Sequence, residues 1–374
     1  MKKLLSLMLA MSMLLALCAC GAGDGNETPA APETEEETVA VLPDPAPPVS
    51  SENEPAPEAE EPAPEAEEAL EAGSGEPSGE ASGNRGPSGG MTGGMGKSGD
   101  ADLQSMIADV APRFSVEEYT DAETGLTLEY NVFLPEGYDG SESYPMVVFI
   151  PDSSVVGRGA EAVLTQGWGA LIWATPEEQA KHPCIVIAPV FTEVILDDHN
   201  GFVTTDWVDL VPRMVGALAA KYNADTARIY ATGQSMGCMT MLITAASDPD
   251  LFAAELFVDG QWDITELKGL ESQTFFYIAA GGDQKAVGGQ EDVLAMLDAD
   301  GVPYSYSDGW DAQADAAELT ALVEAELSEG NAINFIRWET GTVLNGGGGM
   351  EHMASFDYAY KLEAVRDWLF EQSK

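Results

Sequence analysis

A serine flanked by glycine two residues to either side, Gly233-Gln234-Ser235-Met236-Gly237, separates two apolar segments of different character. Before it runs Ala227-Arg228-Ile229-Tyr230-Ala231-Thr232, rich in strand formers. After it, Cys238-Met239-Thr240-Met241-Leu242-Ile243 reads as the start of a helix. The pattern predicts a strand, a sharp turn and a helix, with Ser235 lifted clear of the backbone at the apex. Strand and helix then cross so closely that a Cβ at 233 or 237 has no room, which is what glycine at both positions provides. A second match, Gly86-Pro87-Ser88-Gly89-Gly90, lies in a glycine-rich stretch with no strand before it and no helix after it. Context singles out Ser235.

The chain opens with Met1-Lys2-Lys3 and an apolar run from Leu4 to Leu17 broken only by Ser6 and Ser12. That is the length of a signal-peptide core and short for a membrane span. It ends in Leu17-Cys18-Ala19-Cys20-Gly21, which resembles a bacterial lipobox. Cys20, preceded by the small Ala19, fits as the lipidated residue better than Cys18, which follows the bulky Leu17. Residues 1–20 are therefore expected to be a lipoprotein signal peptide, with an ordinary cleaved signal as the alternative. The expected address is the bacterial cell envelope, outside the cytoplasm, with membrane attachment through lipid alone.

Residues 21–100 are poor in large apolar side chains and rich in Pro, Gly, Ser and acids. The heptapeptide Glu54-Pro55-Ala56-Pro57-Glu58-Ala59-Glu60 recurs at once as Glu61-Pro62-Ala63-Pro64-Glu65-Ala66-Glu67. Such a composition buries too little to fold, and it reads as a disordered acidic tether. Residues 101–374 have the size of one large α/β domain. They hold 45 acids against 12 bases, within a whole-chain net charge of −48. A surface of that sign excludes nucleic acid as a partner and favours neutral or cationic substrates. Cys184 and Cys238 lie in apolar runs and read as buried thiols, with a single bridge as the alternative.

Along this body, Phe114–Thr120 and Leu126–Leu134 flank a turn and predict an antiparallel hairpin at the sheet edge. Met146–Ile150 and Ile185–Pro189 are continuous apolar runs, as expected of strands buried on both faces. Helical spacing over Trp207–Tyr222 leads into the Arg228–Ala231 strand and the serine turn. Further strands are predicted at Ala254–Val258, Phe275–Ala279, Pro303–Ser307 and Ile333–Trp338, with helices near Gln290–Ala299, Ala314–Leu327 and Tyr360–Glu371. This alternation predicts a mostly parallel central sheet with helices on both faces.

Tyr144-Pro145-Met146-Val147-Val148-Phe149-Ile150, the segment Arg228 to Gly237, and His352 followed by Ala364-Val365-Arg366-Asp367-Trp368-Leu369 together resemble an α/β-hydrolase. The likeness is to polyhydroxybutyrate depolymerase-like, feruloyl and acetyl esterases and to the catalytic domain of prolyl oligopeptidase-type peptidases. It implies an α/β-hydrolase fold, with a catalytic order of serine, acid, histidine. A serine hydroxyl needs a base to remove its proton, and the base needs an acid to fix its tautomer. Of the three histidines, His182 precedes a strand and His199 sits in a polar loop. Only His352 has both the order and the position, on a loop after the last strand. Asp283, at the tip of the Gly281-Gly282 turn, is the expected acid, with Asp292 as a weaker alternative inside the next helix.

Two backbone N–H groups should face the developing oxyanion: that of Met236, and that of Ser153 after the Met146–Ile150 strand. Where the family usually has His-Gly, this chain has Pro151-Asp152-Ser153-Ser154, which brings a carboxylate close to that site. Trp262, Gln234 and Met353 are expected to border the substrate pocket, with ordinary packing the alternative for Trp262. The expected function is a serine carboxylesterase acting on a small-molecule or oligomeric ester through an acyl-enzyme. A peptidase, or a binding protein on a hydrolase scaffold, is the alternative. No metal or cofactor is expected, since no metal-ligand spacing is present.

Overall fold

The computed structural model describes residues 100–374, so Cys20, the lipobox and the acidic repeats lie outside the described residues. Asp100 belongs to the folded body: its carboxylate accepts from the Asp102 and Leu103 N–H groups and caps the helix α1 (Ala101–Val110). The predicted hairpin follows as β1 (Ser115–Thr120) and β2 (Thr127–Phe133), antiparallel and at the sheet edge. β3 (Tyr144–Ile150) leads through three short helices, α2 (Ala160–Thr165), α3 (Trp168–Leu171) and α4 (Pro176–Lys181), to β4 (Ile185–Val190). A small antiparallel pair, β5 (Leu196–Asp197) and β6 (Val203–Thr204), stands apart from the main sheet.

Helix α5 (Asp206–Lys221), strand β7 (Ala224–Gln234) and helix α6 (Met236–Ser247) then surround the serine turn. The remaining units are β8 (Ala254–Val258), β9 (Phe275–Ala280), α7 (Gln284–Asp300), β10 (Ser305–Trp310), α8 (Ala316–Leu327) and β11 (Ile333–Trp338). The chain closes with two helices, α9 (Glu351–Lys361) and α10 (Glu363–Glu371), where the sequence predicts one that begins at Tyr360. α7 likewise begins six residues before its predicted start, because Asp283 caps it.

The main sheet has nine strands in the order β1-β2-β4-β3-β7-β8-β9-β11-β10, and every pair from β4 onward is parallel. Alternation along the strands loads both faces. Met146, Val148 and Ile150 of β3 enter one core with α5 and α6, while Val147 and Phe149 enter the other with α3, α9 and α10. From β3 the chain steps outward to β4, then returns to β7 on the other side of β3. The strand order therefore reverses between β3 and β7. The loops leaving their carboxyl ends part there and open a crevice, the usual ligand position in such a sheet. Among the described residues no helix is long and apolar enough to cross a membrane.

Cys184 and Cys238 are free and buried, and burial pushes both thiols up, which leaves them unreactive. A less comfortable group is Glu255, fully buried on β8 between Ala231 and Phe275. Neither of its carboxylate oxygens has a hydrogen-bond partner among the described residues. Burial raises its pKa well above the ordinary carboxylate value. Above the pKa of an unfolded glutamate the native state keeps a proton that the unfolded chain releases, so stability falls as pH rises through that window. Glu255→Leu should therefore stabilise the fold by about 1–3 kcal/mol. Thermal denaturation at pH 5 and pH 8 should show the larger gain at pH 8.

Candidate active site

Ser235 occupies the step between β7 and α6 with φ 52° and ψ −118°, a left-handed backbone rare for a residue with a side chain. Holding it there costs roughly 1–3 kcal/mol, so the surroundings must over-determine it. They do. The Ser235 N–H donates to the Val258 carbonyl at 3.0 Å, and the Ser235 carbonyl accepts from the Met239 N–H at 2.9 Å. A Cβ on Gly233 would lie 2.5 Å from the Gly237 backbone, and one on Gly237 would lie 2.0 Å from the Ile150 carbonyl oxygen. The two glycines let β3, β7 and α6 meet backbone to backbone.

β9 ends in the Gly281-Gly282 turn, and Asp283 caps α7 by accepting from the Lys285 and Ala286 N–H groups at 3.2 and 3.3 Å through Oδ1. Its other oxygen, Oδ2, lies 2.5 Å from His352 Nδ1, and His352 Nε2 lies 2.8 Å from Ser235 Oγ. The ionised carboxylate can only accept, so Nδ1 carries the proton, and Nε2 is left free to accept from the serine hydroxyl. Ser235, His352 and Asp283 thus form one hydrogen-bonded chain, although they are contributed by segments far apart in sequence.

The structure corrects the predicted setting of His352. It stands in the first turn of α9, not on a loop. Two contacts hold that helix in place. The Glu351 carboxylate accepts from the Gly282 and Gly341 N–H groups at 3.0 and 2.9 Å, and Ser355 Oγ donates to the buried carboxylate of Asp259. Helical propensity in Gly346–Met350 is weak, and these tertiary contacts decide where the helix begins. The Phe356 ring packs edge-on against the imidazole, with centroids 5.0 Å apart.

Electrostatics around the ring are one-sided. Burial alone would lower the His352 pKa, but the hydrogen bond to Asp283 and the charges of Asp259, Asp283 and Asp152 outweigh it and leave it raised. For Asp283 burial pushes upward, and the bond and charge of His352 with the cap N–H groups prevail, leaving it lowered. It stays ionised as the acceptor for Nδ1.

The three side chains meet in a cleft of about 750 Å³. Ser153, Met236 and Met353 line it. Met236 is the first residue of α6 and has no carbonyl four residues back within the helix to receive its N–H. Asp152 also borders the cleft, but its carboxylate is engaged: Oδ1 accepts from the Ser154 N–H at 2.8 Å and Oδ2 from Gln234 Nε2 at 2.7 Å. Gln234 is buried and does not line the cleft, because its place on β7 turns its amide toward Asp152 and Gln166. Trp262 does not border the cleft either. Its indole is buried, bonded to Glu266 at 2.8 Å and packed on Phe202. Its neighbour Gln261 faces the cleft instead.

Sequence reasoning also missed the far wall. The β5–β6 pair supplies Leu196 and Val203, and beside it Asp198 receives Gln261 Nε2 at 2.6 Å, Lys285 Nζ at 2.7 Å and His199 Nδ1 at 2.7 Å. Two-residue strands leave too short a period to read. His182 is remote in role: it bonds Asp367 at 2.8 Å and stacks on Phe370.

No known family profile matches the chain, and no characterised relative aligns with it in sequence. Solved structures do resemble it. A thermostable esterase is 24% identical, with a TM-score of 0.57 over 71% of this chain and 64% of its own. The chain thus spans under two thirds of that protein's length. A feruloyl esterase module from Clostridium thermocellum is 14% identical over 70% of this chain and 90% of its own, with a TM-score of 0.45. Residues 100–374 have the α/β-hydrolase fold.

The elbow geometry yields a test. Gly237→Ala should cost about 1–3 kcal/mol of stability and sharply reduce labelling of Ser235 by a fluorophosphonate probe. Gly288→Ala, whose added carbon meets nothing within 4 Å in α7, should leave labelling unchanged and slightly raise the melting temperature.

Proposed function

We propose that this protein is a serine hydrolase acting on carboxylic esters. The observation that carries the reading is the continuous hydrogen-bonded chain Ser235–His352–Asp283 at the crevice of the sheet. In this reading Ser235 Oγ attacks the ester carbonyl carbon while His352 Nε2 takes its proton. The carbonyl oxygen becomes an oxyanion and receives N–H groups from Met236 and Ser153. Collapse of the tetrahedral adduct releases the alcohol, which takes the proton back from His352 and leaves an acyl-serine. Water, deprotonated by the same imidazole, then hydrolyses the acyl group. Asp283 holds the tautomer and the imidazolium throughout. Asp152 is bonded to Ser154 and Gln234, and its charge favours the imidazolium of His352.

The size and apolar sides of the cleft support a neutral ester with one apolar portion. Residues 100–374 supply no second domain over the cleft, which favours a small ester over a peptide. On the N-terminal sequence we further propose that the enzyme is held at the outer face of a bacterial membrane through acylated Cys20.

A series of p-nitrophenyl esters from acetate upward should be turned over by wild type and lost by at least about 10³-fold in Ser235→Ala. His352 must be neutral to act, and its pKa is raised, so kcat/KM should climb with pH along a limb centred above the ordinary histidine value. No turnover by folded wild type, together with no fluorophosphonate labelling, would instead favour a binding role for the scaffold.

For the anchor, metabolic labelling with a fatty acid should mark the full-length protein and fail for Cys20→Ser, which should leave the membrane fraction. Retention of label in that variant would overturn the assignment.

A further inference from the structure

Asp259 follows β8 directly, is fully buried, and has φ 45°, a left-handed backbone without glycine's freedom. Its Oδ1 accepts from the Ala280 N–H at 2.7 Å, at the last residue of β9 and three before Asp283. Its Oδ2 accepts from Ser355 Oγ, one helical turn after His352, and that same Oγ lies 3.1 Å from the His352 carbonyl. One carboxylate therefore joins the strand end that presents the acid to the helix that presents the base. A strained, buried, charged side chain at such a junction is an expensive feature for packing alone.

We propose that Asp259 is a positioning residue for His352, tying α9 to the end of β9 and setting a second buried negative charge behind the imidazole. The proposal deepens the serine-hydrolase reading above and rests on it. Asp283 orients the ring through Nδ1; Asp259 fixes the helix that bears the ring and adds to the field that favours the imidazolium formed during proton transfer.

The groups that face this pair come from every side. Asp283 and the Ala280 N–H come from the end of β9, Asp152 from the loop after β3, Ser355 from α9, and Ser235 from the elbow. Cys238 and Tyr277 also sense Asp259, and both are held neutral by burial. Burial pushes Asp259 up to about 7, against the charge of His352 and the hydrogen bonds of Ser355 and Ala280, with Asp283 adding repulsion. Each charge therefore bears on the titration of the other group.

Asp259→Asn keeps an acceptor for Ala280 and a partner for Ser355 while removing the charge. With only three histidines in the chain, the His352 ring can be followed by NMR titration, assigned by its loss in His352→Ala. In Asp259→Asn the His352 titration should fall by about one pH unit, and the acid limb of kcat/KM should move with it. Ser355→Ala keeps the charge but releases the helix. It should lower kcat about tenfold or more with KM little changed, while His352 titrates above its value in Asp259→Asn. An unshifted His352 in folded Asp259→Asn overturns the proposal. If that variant does not fold, an unchanged kcat in Ser355→Ala overturns it instead. The titration reads the pair without any ester, so a failure of the esterase reading, seen as no turnover in wild type, is distinct from a failure here.

Discussion

The approach of Gly237 to the carbonyl of Ile150 is the contact on which the site depends. It brings the first turn of α6 against the end of β3, so that α6 starts directly over the point where the strand order reverses. Ile150 pairs in register with Gly233, so the same rung of the sheet sets both ends of the turn. With its two flanks fixed, Ser235 has no relaxed conformation available and stands at positive φ. Its N–H and carbonyl are both bonded, so the strain is borne by packing and not by unmet polar groups. Side-chain placement follows from backbone packing.

The second constraint is electrostatic. His352 is enclosed by Asp283, Asp259 and Asp152, inside a domain already strongly acidic. Three carboxylates about one imidazole would be destabilising if all were free. Here each has been given hydrogen-bond donors: helix N–H groups for Asp283, the Ala280 N–H and Ser355 for Asp259, the Ser154 N–H and Gln234 for Asp152. Donors satisfy the oxygens without cancelling the field at the ring. A buried imidazole would otherwise lose its basicity to desolvation, and these charges restore it.

Legibility from sequence divides along physical lines. The elbow was readable because its requirements are local: a strand, a turn with no room for Cβ, and a helix within a dozen residues. Asp283 and His352 were readable from the serine–acid–histidine order that the resemblance implies, though His352 stands on a helix and not on a loop. Side-chain direction was not. Gln234 and Trp262 lie next to site residues in sequence, yet each points into packing, because neighbouring positions on a strand or its exit loop face opposite ways. The start of α9 and the role of Asp259 were hidden for another reason. The Asp259–Ser355 bond spans 96 residues and the Glu351–Gly282 bond 69, and no local pattern encodes them.

The helix caps link folding to chemistry. Asp283 caps the N–H groups of α7 with one oxygen and meets His352 with the other. A carboxylate bonded only to a histidine could rotate with little penalty; one that also caps a seventeen-residue helix is held in place by the helix it starts. Glu351 works from the other side without capping a helix: its carboxylate closes the Gly282 turn from the residue adjacent to His352. Asp283 is therefore held by the helix it caps, and His352 by a helix start pinned to the Gly282 turn. The hydrogen bond between Asp283 and His352 is thus present in the folded chain with no ligand to order it.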